Sequence, residues 1–535
     1  MTRRIFLPLS RRTFVKLAAA GAASTALGGC GTPGADVEEV ENLIIGSGFG
    51  GSITAHRLAE AGHASVLLER GRRWTIETPG QNVFSDMGYT NEDGIDDRYD
   101  NRSAWLSTTQ PLPGIPPGRP FQPYTGVLER IYGEGIDVVC PAGVGGGSLV
   151  YSGMMVRPPT ELFESVFPAG VSADVMTPYY DRVAALMQPS AIPDSLLDLP
   201  QWVASRTFIE HAERAGITVE RILCAFDWER AALEVTGELP PQLIRGHYIF
   251  GLNSGAKRSL DRVYLGMAEM SGLCEVRPLH WAQRIVKDGA RWRVELDVID
   301  ESGAVLESRV ISARRLFLCA GTMNTTGLLQ RARAEDTIAD LPETIGEGFG
   351  NNGQHIMARE GIGVDTGAFQ AGPACIMMFD PSAPIAMENG PAPLGMERQL
   401  LIGTGQGVPS GRGRIAWDAA QGKIVPHWDA SYSAEARGHA SALLERLNMV
   451  NGGIDATASL LGADLSITFH PLGGCVMGQS TDLYGRVMGQ DGLYVIDGSL
   501  IPGVTPLSNP CWTISANSER CIERILAEDF AGESA

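Results

Sequence analysis

The chain has 535 residues, of which 44% are apolar, enough to bury a large core in roughly two or three domains. Its formal net charge of −19 repels nucleic-acid phosphates and anionic lipid headgroups alike, which argues against either as a partner. None of the nine cysteines falls in a CxxC pair or a zinc-like spacing, so no metal centre is expected.

The amino terminus carries an address. Ser10-Arg11-Arg12-Thr13-Phe14-Val15-Lys16 resembles a twin-arginine export signal. The small and apolar run that follows, Leu17 to Gly29, is too short to cross a bilayer of about 30 Å as a helix. It ends in Leu27-Gly28-Gly29-Cys30, which resembles a lipoprotein cleavage box with Cys30 as the lipidated residue. Residues 1–30 are therefore read as a signal and 31–38 as a tether. The expected destination is secreted or periplasmic, with a membrane anchor where Cys30 carries lipid.

The first folded unit runs from Val40 to Arg70. A strand, Glu41 to Ile45, enters Gly46-Ser47-Gly48-Phe49-Gly50-Gly51, a helix is expected from Ser52 to Ala61, and Ser65 to Glu69 is the next strand. Residues 74–125 read as long loops. Helical patterns follow at Met176–Met187 and Thr207–Ala215. Trp292 to Ile311 reads as a hairpin, and Arg315 to Gly321 as a separate buried strand followed by a helix from Thr325. Later come a helix at Ala434–Met449, a strand at Gly492–Gly498 and a last helix from Pro510 to Ala527.

The Gly-rich turn sits where dinucleotide chemistry needs it, between a strand and a helix. Gly46 permits the tight turn, Gly48 lets backbone approach a pyrophosphate, and Gly51 lets helix and strand pack closely. Phe49 and Gly50 complete the loop, and the helix amino terminus offers free N–H groups to phosphate. Glu69, ending the second strand, can hydrogen-bond a ribose hydroxyl and disfavours a 2′-phosphate. Whether the dinucleotide is FAD or NAD is not decided by this motif alone.

Other segments resemble the glucose–methanol–choline (GMC) oxidoreductases, in particular their noncovalent-FAD cholesterol oxidase branch. Gly143-Val144-Gly145-Gly146-Gly147-Ser148-Leu149-Val150-Tyr151-Ser152-Gly153-Met154 resembles the family's flavin segment. Leu279 to Ile285, Phe317 to Thr322, Gly350-Asn351-Asn352-Gly353, His470 to Cys475, Asp497 to Gly503 and Asn509-Pro510 follow in the family's order. The resemblance spans residues 40–527. It implies an α/β protein in which a Rossmann-like FAD-binding domain interleaves with an α+β substrate domain built on a mainly antiparallel sheet. The FAD domain is expected in residues 39–79, 258–355 and 485–530, with 141–154 packed on the flavin, and the substrate domain in 80–257 and 356–484. FAD is expected to be held noncovalently, because no histidine lies near Gly147 to attach it.

By the same resemblance, Gly143, Gly147, Ser148, Tyr151, Ser152, Gly153 and Met154 face the cofactor. So do Ala282 (beside adenine), Gly321, Asp497, Gly498, Asn509 and Pro510. The implied reaction oxidises the 3β-hydroxyl of a sterol by hydride transfer to flavin N5, with oxygen as acceptor and a 5-ene to 4-ene isomerisation to follow. His470 is the expected contact for the substrate oxygen, and Asn509 for substrate or flavin, an N-cap role being the plainer use of an asparagine there. Glu397 aligns with the carboxylate that moves the isomerisation proton, and Glu388 is the nearest competing acid. His355 and His427 are the other histidines placed near the site. Tyr151 and Ser152 stand where the family has Asn-Gly, the loop from Gly503 to Asn509 is one residue longer, and Cys511 replaces an aromatic. Two alternatives stay open: a dehydrogenase of another bulky alcohol that passes electrons to a quinone or carrier, and a flavin- or sterol-binding lipoprotein without turnover.

Overall fold

The computed structural model describes residues 37–78, 80–85, 100–112, 120–380, 383–392, 398–462 and 466–532. The export segment with Cys30, and Glu397, lie outside the described residues. The strand Glu38–Ile45 buries Asn42, Leu43, Ile44 and Ile45 at its carboxyl end, as a central strand covered on both faces must. It pairs in parallel with Ser65–Leu68 on one side and Val305–Leu318 on the other, and Cys274–Arg277 extends the parallel set beyond Ser65–Leu68. Arg291–Ile299 and His280–Asp288 continue the sheet as antiparallel strands, making seven strands with Leu493–Val495.

Val305–Leu318 is one strand where the sequence suggested two. Its outer half pairs with Arg291–Ile299 as far as Ala313, and on the same edge Leu316, Phe317 and Leu318 pair with Leu493–Val495. The charged Arg314-Arg315 step suggests a break. Arg315 is instead buried, its guanidinium 3.8 Å over the Phe530 ring and donating to the Asp529 carbonyl at 3.0 Å, which removes the reason for a turn.

The second large sheet is antiparallel throughout: Ile454–Asp455, Gln354–Glu360, Leu400–Gln406, Ile385–Asn389, Ile376–Asp380 and Thr218–Arg221, in that order. The fold is thus a mixed α/β protein with a Rossmann-like sheet beside an antiparallel one. The expected helices at 176–187, 207–215 and 434–449 are Ala173–Met187, Val203–Arg214 and Ala434–Asn451.

The helix after the first strand is Phe49–Glu60 and that after Val305–Leu318 is Gly321–Ala334, so each starts three or four residues earlier than the apolar pattern indicated. Gly50 and Gly51, read as loop, and Gly321, read as the end of a strand, lie in the first helical turns. The expected strand Gly492–Gly498 is only Leu493–Val495, because Asp497 accepts from Ser499 N and Oγ and turns the chain into the 3₁₀ turn Gly498–Leu500. The last helix, Pro510–Asp529, is pinned to Phe49–Glu60 by a fully buried carboxylate. Glu519 takes two hydrogen bonds from Arg57, at 2.7 and 2.8 Å, and one from the Tyr264 hydroxyl at 3.0 Å. All eight described cysteines are buried free thiols, and no helix among the described residues is long and apolar enough to cross a membrane.

Candidate active site

Two glycine clusters meet backbone to backbone. Gly46 has φ +98°, and a Cβ there would lie 2.4 Å from the Cys319 carbonyl oxygen. A Cβ on Gly50 would stand 1.6 Å from the Ile496 carbonyl oxygen, and one on Gly51 would stand 1.9 Å from that of Gly46. Gly48 differs: a Cβ there meets no atom within 4 Å, and the Phe49–Glu60 helix begins just beyond it with no acid in its first turn. This is an open, positively polarised approach of the kind a pyrophosphate uses. A Cβ on Gly146 would come 2.6 Å from the Gly48 Cα, which seats the second cluster against the first.

Ser47 and Glu69 lock this junction. Glu69 accepts from Ser47 N at 3.1 Å, Ser47 Oγ at 2.6 Å and Gly71 N at 2.8 Å, and Ser47 Oγ in turn accepts from Gly145 N at 3.1 Å. Ser148 is also engaged by protein: its hydroxyl donates to the Gly145 carbonyl at 2.7 Å and accepts from Leu260 N at 2.8 Å. Gly147 lies 3.4 Å, by its would-be Cβ, from the Phe49 ring, and Gly143 sits with φ +146° against the Trp74 indole. The strand carrying Ala282 starts beside Glu69, His280 N donating to the Glu69 carbonyl at 2.9 Å.

A second open glycine is Gly321, φ +79°, again with no atom within 4 Å of a Cβ. Its N–H donates to Asp497 at 2.9 Å. Asp497 also accepts from Thr325 Oγ1 and from Ser499, so all four of its lone-pair directions go to protein donors and its side chain serves as the peg of this turn. Gly498 packs against Thr322 and Leu472. Tyr151 donates to the Arg258 carbonyl at 2.8 Å, its ring 5.9 Å from Phe49. Ser152 hydrogen-bonds Tyr248. Gly153 has φ +67°, and Met154 heads a short strand whose carbonyl accepts from Cys511 Sγ.

The polar candidates are joined by hydrogen bonds through two residues that sequence reasoning did not select. Asn352 is fully buried at φ +57°. Its Oδ1 accepts from Thr505 N at 2.7 Å and Thr505 Oγ1 at 3.0 Å. Its Nδ2 faces Ser508 O at 2.8 Å, Gln406 Oε1 at 3.1 Å and His470 Nδ1 at 3.4 Å. Gln406 Nε2 donates to Glu388 at 2.9 Å, and Asn509 Nδ2 donates to both Glu388 oxygens, at 3.3 and 3.2 Å. The chain His470–Asn352–Gln406–Glu388–Asn509 is continuous.

Its electrostatics follow from burial. The His470 ring keeps some accessible surface but is crowded by protein, and that burial pushes the imidazole down to about 4, so it is neutral at pH 7. Burial raises Glu388 to about 7 against the lowering pull of Asn509 and Gln406. Glu388, the acid the sequence offered as the competitor of Glu397, stands among these groups, while Glu397 lies outside the described residues. Asn509 precedes Pro510 at the head of the last helix, yet its side chain makes no cap; its Oδ1 is buried without a protein partner. Two other histidines lie elsewhere. His427 pairs with Glu134 at 2.7 Å on the surface. His355 is on the strand face opposite Gln354, and burial with Arg437 nearby lowers it to about 4.

Residues 409–518 match the family model of the GMC oxidoreductases, and residues 44–108 that of an NAD(P)-binding Rossmann-like domain. The chain thus carries a GMC oxidoreductase carboxyl-terminal domain and a Rossmann-like dinucleotide-binding domain. It is 23% identical to a cholesterol oxidase of Acinetobacter baumannii, over 93% of this chain and 96% of that one. It is 26% identical to a cholesterol oxidase of Mycobacterium tuberculosis, over 89% of each. Solved structures share the fold at lower identity. A formate oxidase of Aspergillus oryzae aligns with TM-score 0.61 at 13% identity, over 92% of this chain and 99% of its own. A pyridoxine 4-oxidase of Mesorbium loti aligns with TM-score 0.59 at 16%, over 91% and 99%.

The cofactor is FAD, and the residues fit it. Gly48 and Gly321 are open where neighbouring glycines are filled by backbone, a helix amino terminus free of acids faces the first opening, and the unpartnered Asn509 Oδ1 stands at the head of the last helix.

Proposed function

We propose that this enzyme oxidises the 3β-hydroxyl of a sterol or a closely related bulky alcohol, with oxygen as electron acceptor and an isomerisation of the ring double bond to follow. The observation that carries the reading is the buried chain from His470 to Glu388 and Asn509, which sets an imidazole and a carboxylate in one network; two residues after Asn509, Cys511 donates to the Met154 carbonyl at the end of the second glycine cluster. Full-length similarity to two cholesterol oxidases supports the substrate class. Bound FAD supplies the hydride acceptor.

The chain's own groups do the rest. Gly46, Gly48, Phe49, Gly50 and Gly51 hold the pyrophosphate. Glu69 and Ala282 border the adenosine half, and Gly143, Gly147 to Met154, Gly321, Asp497, Gly498 and Pro510 shape the ring-side wall. His470 holds the substrate oxygen by a hydrogen bond from its Nε2–H, because Nδ1 faces the Asn352 NH₂ group, and keeps that proton throughout. Glu388, ionised above about pH 7, takes the hydroxyl proton. Once that proton has passed to solvent, the carboxylate carries a proton from the carbon beside the new carbonyl to the far end of the double bond. Asn509 holds Glu388 and turns its Oδ1 toward the reacting groups. Tyr151 and Ser152 stand where the family has Asn-Gly and narrow substrate choice. The amino terminus is read as a twin-arginine signal that exports the folded flavoprotein, with Cys30 as its lipid anchor.

Incubating the purified protein with cholesterol under air tests this directly: peroxide and a conjugated enone should appear together. A flavin-loaded protein that makes neither, but reduces a quinone at the expense of another alcohol, would establish the dehydrogenase instead.

A further inference from the structure

Asn352 is the branch point of the site. It adopts left-handed backbone, which asparagine and aspartate tolerate better than other side chains, inside Gly350-Asn351-Asn352-Gly353. Its amide orientation is not free. The Thr505 N–H can only donate and the Ser508 carbonyl can only accept, so Oδ1 faces the first and Nδ2 the second. These two backbone groups belong to the loop just before Asn509. The NH₂ group they orient then meets His470 Nδ1 and Gln406 Oε1. The NH₂ group has two hydrogens for three acceptors, so His470 Nδ1, the most distant at 3.4 Å, only shares one of them; because an amide nitrogen accepts nothing, a proton on Nδ1 would find no acceptor there, and a neutral His470 carries its proton on Nε2. Gln406, accepting on Oε1, must turn its own NH₂ group to Glu388.

We propose that Asn352 is a positioning residue that sets the His470 tautomer and, through Gln406, presents Glu388 as a hydrogen-bond acceptor, so that the loop from Thr505 to Ser508 dictates donor and acceptor roles on both sides of the substrate. This deepens the reading of His470 as the ligand of the substrate oxygen and rests on it. Among the described residues no charged group bears on the His470 ring, and burial lowers its titration. Around Glu388 the titratable neighbours are Tyr248, Cys224 and Cys511, all raised by burial and neutral at working pH. The direction of the chain is therefore set by hydrogen bonds.

The test is the nitrogen spectrum of the imidazoles in the FAD-loaded protein labelled with ¹⁵N-histidine, with the His470 signals assigned by their loss in His470→Gln. The wild type should show His470 with Nδ1 unprotonated at pH 7. Asn352→Asp keeps the acceptor for Thr505 and suits the backbone, but sets a carboxylate oxygen against Nδ1. It should move the proton to Nδ1, raise the His470 titration midpoint, and lower kcat by about 10- to 100-fold. Gln406→Glu should leave the His470 tautomer as it is. A wild-type His470 protonated on Nδ1, or a folded Asn352→Asp protein whose His470 tautomer is unchanged, would overturn the proposal. Should the aspartate variant not fold, the wild-type tautomer alone decides. Because the spectrum is read without turnover, a wrong substrate class leaves this result intact, and a wrong tautomer leaves the substrate class intact.

Discussion

Replacing Glu388 by Gln is expected to lower kcat/KM for a sterol by about 10²- to 10⁴-fold, the usual contribution of a positioned acid–base group. In the wild type, the rate should climb with pH through a midpoint near 7, where the raised carboxyl ionises, and that limb should be missing from the variant. His470→Gln should also cost rate but leave the limb in place, because the imidazole is already neutral above about pH 4. The same carboxyl leaves a mark on stability. Its folded value, about 7, stands above its usual 4.5, so the folded state holds the proton more tightly than the unfolded chain. Stability from this group is therefore complete below pH 4.5, falls as pH rises through 7, and is lost above it. The loss amounts to at most about 3 kcal/mol. Denaturant unfolding at pH 5 and pH 8 should show this decrement in the wild type and its absence in Glu388→Gln. An equal decrement in both proteins would mean that Glu388 does not titrate in this range.

Substitutions in the first glycine loop should separate folding from cofactor binding. Gly48→Ala places a methyl group where no protein atom lies within 4 Å, on backbone at φ −70° that alanine adopts freely. The protein should fold and melt as the wild type does when cofactor-free. The methyl intrudes on the approach to the pyrophosphate, so FAD affinity should fall by about 5- to 150-fold, the equivalent of 1–3 kcal/mol of overpacking. Gly50→Ala sets its Cβ 1.6 Å from the Ile496 carbonyl oxygen, in the middle of the seam between the first helix and the central sheet. It should destabilise the fold itself by about 3 kcal/mol or more and yield insoluble or colourless protein. Flavin titration and thermal melting of the two variants distinguish these outcomes; wild-type flavin affinity in Gly48→Ala would remove that opening from the cofactor site.

The sequence made the architecture legible where one periodicity dominates. The strand–glycine–helix–strand unit, the hairpin and the last helix are all present. Misreadings cluster where a residue does something its type does not usually do. Glycine signals a turn or a stop, so Gly50-Gly51 read as loop and Gly321 as the end of a strand; there, instead, glycine lies in the first turn of a helix. At Gly50 and Gly51 its missing side chain lets another backbone pass close by. Arg315 suggests a strand break, and a ring and a carbonyl at the far end of the chain absorb its charge instead. Asn509 has the position of a helix cap, but its amide is drawn to Glu388.

Site residues divide in the same way. His470 and Asn509 stand out in motifs. Glu388 has a signal of its own, a lone acid in the apolar strand Ile385–Asn389, but alignment points to Glu397, which lies outside the described residues. Asn352 sits inside a quoted motif without a role, since its importance comes from four partners distant in sequence. Gln406 has no local signal at all, because only the pairing of Leu400–Gln406 with Ile385–Asn389 brings it to Glu388.

The central claim, that the paired glycine clusters hold FAD against the His470 network, is tested most directly by the visible spectrum of the purified protein during anaerobic addition of a 3β-hydroxysterol. The account predicts a yellow protein whose flavin bands bleach in proportion to sterol added, and do so far more slowly in His470→Gln. Protein that is colourless as purified and takes up no added FAD would contradict it.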